Sequence, residues 1–190
     1  MKSVISSYLK QVSKNFINLE SETDNISKAA LEIIDALSKK NKILFCGNGG
    51  SAGDSQHLAA ELMGRYKINR DPLPALALTV DTSAITAIGN DYGYENVFSR
   101  QLKGIGVKGD VLVAISTSGK SENVIKAIEV AKQIGIKVIS FTGEAHCQMN
   151  ELSDICINVP SKETNHIQEM HITVGQLICG IVEDTIFGEK

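Results

Sequence analysis

The sequence predicts an α/β fold, a three-layer sandwich built on a five-stranded parallel sheet and preceded by two helices. Three observations carry this. From residue 42 onward, short apolar runs alternate with longer stretches of helical periodicity. Two of those runs end in glycine- and hydroxyl-rich loops that open straight into helices, the strand–loop–helix order of parallel sheets. The chain has 190 residues, 43% hydrophobic and 22% charged, enough for one such domain with a full core and an added helical piece.

Residues 1–40 read as the added piece, a helical pair belonging to the same unit as the α/β domain of residues 41–190. Ile5, Leu9, Val12, Phe16 and Leu19 recur at spacings of four and three, which puts them on one helical face. Ser21-Glu22-Thr23-Asp24 offers capping residues for a second helix bearing Ile26, Ala30, Ile33, Ile34 and Leu37. The coiled-coil-like spacing favours packing of this piece on a neighbouring subunit over packing on its own domain. Strand-like runs follow at 42–46, 75–78, 110–115, 137–141 and 155–159, and helix-like runs at 52–63, 83–88, 123–134 and 164–187.

Bulk properties exclude several classes. A net charge of −3 argues against a broad electrostatic grip on nucleic acid. No apolar run approaches the ~20 residues that span a bilayer, and the first residues lack the apolar core of a signal peptide. Cys46, Cys147, Cys156 and Cys179 form no C-x-x-C pair and read as reduced thiols of a cytoplasmic protein.

The two loops are Cys46-Gly47-Asn48-Gly49-Gly50-Ser51 and Ser116-Thr117-Ser118-Gly119-Lys120-Ser121. A helix N-terminus presents free N–H groups and a positive dipole end, so two such loops point to a phosphorylated small molecule. In the second loop Ser116, Thr117, Ser118 and Ser121 supply four hydroxyls where simple N-capping needs one. Two other motifs fail. Gly119-Lys120-Ser121 lacks the first glycine of a P-loop, since Ala114 stands there. Gly47-Asn48-Gly49-Gly50-Ser51-Ala52 fits a loose dinucleotide fingerprint, but Asp71 precedes Pro72 instead of ending a strand.

His57 and Glu61, spaced i, i+4, stack on one face of the helix after the first loop. Both types are zinc donors, and a partly buried Glu61 can serve as a general base. By spacing alone Gln168 is a surface amide of the last helix, and Asn90-Asp91 reads as a loop in which Asp91 either binds a sugar hydroxyl or forms a turn.

Taken together, Cys46–Ser51, His57-x-x-x-Glu61-Leu62-x-Gly64-Arg65-Tyr66, Asn90-Asp91, Ile115–Ser121 and Ile167-Gln168-Glu169-x-His171 resemble the sugar isomerase (SIS) domain family, and within it the phosphoheptose isomerases. The resemblance spans essentially the whole chain. It implies a flavodoxin-like sheet and a cytoplasmic homotetramer with active sites between subunits. It also implies aldose–ketose isomerisation of sedoheptulose 7-phosphate to D-glycero-D-manno-heptose 7-phosphate, the entry to ADP-heptose for lipopolysaccharide or other surface glycans.

By position, the resemblance makes Ser116, Thr117, Ser118 and Ser121 phosphate binders. It makes Asn48, Gly49, Gly50, Ser51, Glu61, Asn90, Asp91 and Gln168 substrate contacts, and His57, Glu61, Gln168 and Gln176 the places of a zinc site. Glu61 and Gln176 take the catalytic positions. Gln176 stands where relatives often carry a histidine, so the second proton-transfer group differs here, and Asn165 stands where a member can carry Asp, a change that bears on substrate orientation. Gln168 and Gln176 are eight residues apart, about 12 Å of helix rise, and Gln168 is the preferred zinc position. The competing class is a non-catalytic binding protein of the DnaA-initiator-associating type, which lacks the glutamate matched by Glu61.

Overall fold

In the computed structural model, which describes residues 1–188, five parallel strands form one sheet in the order β2-β1-β3-β4-β5. The strands are β1 (Ile43–Gly47), β2 (Ala75–Ala77), β3 (Val111–Ile115), β4 (Lys137–Thr142) and β5 (Ile155–Asn158). Alternation along each strand feeds two cores. Ile43, Phe45, Val111, Val113, Ile139 and Phe141 face one layer of helices, while Leu44, Cys46, Leu112, Ala114 and Val138 face the other. This is the doubly covered parallel sheet expected from the alternation.

The first layer holds α2 (Thr23–Ser38), α3 (Gly50–Met63) and α8 (Thr164–Phe187). The opposite layer holds α4 (Thr82–Tyr92), α5 (Val97–Ile105), α6 (Glu122–Ile134) and α7 (Gln148–Leu152). Two of these, α5 and α7, go beyond the sequence reading. Helix α5 buries Val97, Phe98 and Leu102, a one-sided stripe too short for a periodicity window to pick out. The single turn α7 is held by an Asn150 side chain that accepts from the Cys147 N–H at 2.9 Å.

Helix α4 also runs further than expected. It starts at Asp81, whose side chain accepts from Ala84 N at 2.9 Å, and it stops only at Gly93, where φ is +87°. Asn90 and Asp91 are therefore helical residues in its last turn and not loop residues, because Gly93 supplies the left-handed break that Gly89 only imitates in the sequence.

Helix α1 (Lys2–Asn18) and α2 behave differently from each other. The α2 stripe of Ile26, Ala30, Ile33 and Leu37 is buried in the chain's own core, which corrects the expectation that it packs on a neighbour; it lies over the sheet beside α8. The N-terminal half of the first stripe stays outside, with Val4 70%, Ile5 54% and Leu9 61% exposed, while Phe16 and Leu19 at its end join the core. Helix α1 is attached at its C-terminal end by Phe16, which packs on the core, and nearer its start by polar contacts: the Tyr8 hydroxyl donates to Glu169, and Asn165 Nδ2 donates to the Tyr8 oxygen at 2.9 Å.

Helices α3 and α8 run side by side in close contact. A Cβ at Gly175 would lie 2.4 Å from Leu58 Cδ1. Only glycine lets the helices approach so closely, and that contact sets the distance between the side chains the two helices present.

Candidate functional site

The two loops meet because their strands are neighbours. Strands β1 and β3 pair with Cys46 opposite Ala114 and Gly47 opposite Ile115, so both loops leave the sheet at the same level. From there α3 crosses to one face and α6 to the other, which opens a crevice at the topological switch point where ligands of such sheets bind.

A reciprocal amide pair stitches the crevice. Asn48 Nδ2 donates to Asn123 Oδ1 at 2.8 Å, and Asn123 Nδ2 returns the bond to Asn48 Oδ1 at 2.8 Å. Tyr94 OH adds a donor to the same Asn48 oxygen at 3.2 Å. Beside it lies an open cleft of about 140 Å³, lined by Gly47, Asn48, Gly49, Thr79 and Tyr94 among others.

In the first loop Gly49 has φ +57°, which L side chains rarely adopt. Gly50 begins α3 and Ser51 is buried behind it. A Cβ on Gly50 would lie 2.5 Å from Gln168 Nε2, so Gln168 sits against the loop and is not a free surface amide. In the second loop Ser116 Oγ and Ser121 Oγ lie 2.9 Å apart, and Ser118 Oγ accepts from Lys120 N at 3.2 Å. Ser121 holds the N-cap position of α6 but makes no side-chain cap bond. The hydroxyls are thus gathered at the helix entrance without being used to cap it, which favours the anion reading over simple capping. Gly119, at φ +62°, leaves room for the Cys147 thiol packed over it.

Asn90 and Asp91 project from the last turn of α4, where Asn90 Nδ2 donates to Asp91 Oδ1 at 2.8 Å. It is Tyr94, beyond Gly93, that reaches the first loop. Sequence reading passed over both Tyr94 and Asn123. Asn123 follows the serine loop by two residues, and an amide in the first turn of a helix was the available signal.

A second cluster forms further along α3. His57 Nε2 lies 3.1 Å from Glu61 Oε1, and Gln176 Nε2 lies 3.4 Å from the same ring nitrogen. The Glu61 side chain is 20% exposed and that of His57 50%. Of the two glutamines, Gln176 is the one the fold puts beside His57, whereas Gln168 lies two turns earlier at Gly50. The parallel run of α3 and α8 explains this, since residues eight apart on α8 meet residues about as far apart on α3.

For a metal, the cluster offers an imidazole, a carboxylate and an amide whose oxygen turns to the ring by a simple flip. That is a three-donor set with room for water or substrate, as in catalytic zinc sites, but its third member is a weak neutral ligand. Among the described residues no group of three or more His, Cys, Asp or Glu is placed to hold a metal.

Two further ionisable groups sit on the same two helices. Asp54 stands one turn before His57 on the same helix, and its Oδ2 is buried without a partner. Burial pushes its carboxyl up to about 6, against a smaller downward pull from His57. The i, i+3, i+7 spacing of Asp54, His57 and Glu61 was a legible signal. On α8, His171 is fully buried and bonds the Thr142 carbonyl at 3.1 Å; burial pushes it down to about 4, so it stays neutral. All four cysteines are free, and burial raises the Cys46 and Cys179 thiols to about 12.

The sequence profile of the SIS domain matches residues 7–143. The chain belongs to the SIS domain family. A SIS protein from Akkermansia muciniphila named phosphoheptose isomerase is 54% identical over 188 residues, covering 99% of this chain and 100% of that one. The structure of phosphoheptose isomerase GmhA from Neisseria gonorrhoeae superposes with a TM-score of 0.91 at 40% identity, covering 96% of this SIS chain and 98% of that chain. A phosphoheptose isomerase from Francisella tularensis gives 0.92 at 35% identity, over 96% and 97%.

Asp54 yields a pH prediction. Its folded value of about 6 lies above the ordinary 3.8, so folding disfavours its charged form. The resulting penalty is complete above pH 6 and fades as the pH falls through 6 toward 4. Asp54→Asn therefore raises the urea midpoint at pH 7.5, and the gain shrinks at pH 4. An equal gain at both pH values refutes the assignment.

Proposed function

We propose that this SIS protein is a phosphoheptose isomerase, a cytoplasmic intramolecular oxidoreductase that converts sedoheptulose 7-phosphate to D-glycero-D-manno-heptose 7-phosphate on the route to ADP-heptose and surface glycans. The observation that carries the reading is the pairing of an uncapped hydroxyl loop at the switch point with a carboxylate–imidazole pair on the helix that leaves that crevice. The four free thiols agree with a reducing compartment.

In the proposed reaction the phosphate seats among Ser116, Thr117, Ser118 and Ser121 and the N–H groups of the first loop, far from the carbons that react. Glu61 takes a proton from C1 of the ketose. The C–H electrons form the C1–C2 double bond, and the carbonyl oxygen at C2 takes a proton from water to give the enediol. The O1 proton then passes back to water as the C1 carbonyl forms, while Glu61 returns its proton to C2. An amide is too weak an acid and too weak a base to relay a proton at neutral pH, so Gln176 acts here as a hydrogen-bond donor to the oxygen on which charge develops.

Zinc fits as a weakly held group, with His57, Glu61 and Gln176 as its ligands in one chain. When bound, it supplies Lewis-acid polarisation of the substrate oxygens. A carboxylate engaged by a metal is a poor base, so the two roles of Glu61 compete.

We further propose a homotetramer with shared sites. Gly50 and Glu61 are eleven residues apart, about 16 Å along α3, so one chain holds its phosphate seat and its base at opposite ends of that helix. An assembly that turns the Glu61 end of one subunit toward the serine loop of another closes the gap. The bare apolar stripe of α1 supplies a surface for such an assembly.

Three measurements test these readings. The wild-type protein is expected to turn sedoheptulose 7-phosphate into an aldoheptose phosphate, followed by NMR, and Glu61→Gln to lose at least about 100-fold in kcat with its fold intact. No product from the wild type favours a binding protein, and a Glu61→Gln variant within a few-fold of wild type removes Glu61 as base. Mixing Glu61→Gln with an inactive Ser118→Ala/Ser121→Ala variant, after dissociation and reassociation, is expected to restore activity, because a shared site can then combine two intact halves; no recovery places the site within one chain. Chelation is expected to strip zinc readily and lower kcat, and full activity without metal discards the zinc assignment.

A further inference from the structure

The C-terminal end of α3 is held in an unusual way. A helix leaves four carbonyls free at its end, and water or a glycine turn usually suffices for them. Here Arg70 Nη2 donates to the Glu61 carbonyl at 2.9 Å, and Nη1 donates to the carbonyls of Leu62 at 2.8 Å, Gly64 at 3.2 Å and Asp71 at 2.9 Å. The guanidinium is held in turn by α8, since Arg70 Nε donates to Glu183 Oε1 at 3.0 Å.

Glu183 has no acceptor capacity to spare. Its Oε1 also accepts from Tyr66 N at 2.9 Å, and Oε2 accepts from Lys67 N at 2.6 Å and Ile68 N at 2.8 Å. The side chains of Arg70 and Glu183 are 2% and 1% exposed. Burial pushes the Glu183 carboxyl up, but the N–H donors of Ile68, Lys67 and Tyr66 together with Arg70 outweigh it and bring it down to about 2. The pair is thus charged across the neutral range.

Burying two charges costs desolvation, and an apolar contact of similar volume often gives as much stability. What the ion pair gives that an apolar contact does not is register. Leu58 packs on Gly175 without directional bonds, whereas the guanidinium is bonded to fixed carbonyls on one helix and to a carboxylate on the other. The anchored turn is that of Glu61, whose side chain reaches His57 and, through it, Gln176 of α8.

We propose that Arg70 and Glu183 are positioning residues of the isomerase: they lock α3 against α8 so that the Glu61 carboxylate, His57 and Gln176 stay in one cluster. The inference rests on the reading of Glu61 as the base. It assigns a catalytic consequence to a pair that touches no reacting atom.

The test uses the full chain. Arg70→Lys keeps a cation beside Glu183 but cannot span both the Glu61 and Leu62 carbonyls. At a temperature where its thermal melt shows it fully folded, kcat is expected to fall about 10- to 100-fold with KM for sedoheptulose 7-phosphate within about threefold. Glu183→Gln is the companion variant, which keeps the guanidinium on the α3 carbonyls but frees it from α8, and it is expected to show the same split of kcat from KM. If either folded variant keeps wild-type kcat while its melting temperature drops, the pair serves stability alone and the proposal is overturned. Glu61→Gln run in parallel separates the two readings. An active Glu61→Gln removes the base assignment, whereas an inactive Glu61→Gln beside a fully active Arg70→Lys removes the positioning role only.

Discussion

The close contact of α3 with α8 is the constraint on which the rest of this structure depends. Helix α3 carries the glycine loop at its start and Glu61 near its end, and α8 carries Gln168 and Gln176 at the matching levels. The two helices approach through Gly50, against Gln168, and Gly175, against Leu58, where an added Cβ would lie within 2.5 Å of the neighbour. Sequence thus enters function here through the absence of side chains. Small residues bring the backbones together, the backbones set the side-chain spacing, and the spacing creates the cluster.

The sheet supplies the second half of the design. Because β1 and β3 are paired and their crossovers leave to opposite faces, two helix entrances open into one crevice. The Asn48–Asn123 pair joins residues 75 positions apart and fixes the gap between those entrances. An anion placed there meets hydroxyls and N–H groups without needing a basic surface, which reconciles a phosphate ligand with a chain of net charge −3.

Burial treats the ionisable groups near α3 in opposite ways. Glu183 is buried with every acceptor position filled, so it remains charged and structural. Asp54 is half-buried with its Oδ2 enclosed and unpaired, so its charged form is disfavoured. A folded chain usually pairs its buried carboxylates, and an unpaired one beside His57 marks the region where local stability has yielded to another requirement.

The order of strands and helices, the two loops and the His57–Glu61 pair were legible in the sequence because each is local: periodicity, turn residues and an i, i+4 spacing need no knowledge of partners. The family signature was legible for the same reason, being a set of short runs in order. What the chain did not disclose is long-range. Whether α2 packs inward and α1 outward, that Asn90 and Asp91 end a helix, that Gln176 and not Gln168 meets His57, and that Arg70 is tied to Glu183 across 113 positions are decided by contacts between distant segments. Local pattern fixes which face a residue occupies, but only the packing of helix on helix and helix on sheet fixes what that face meets.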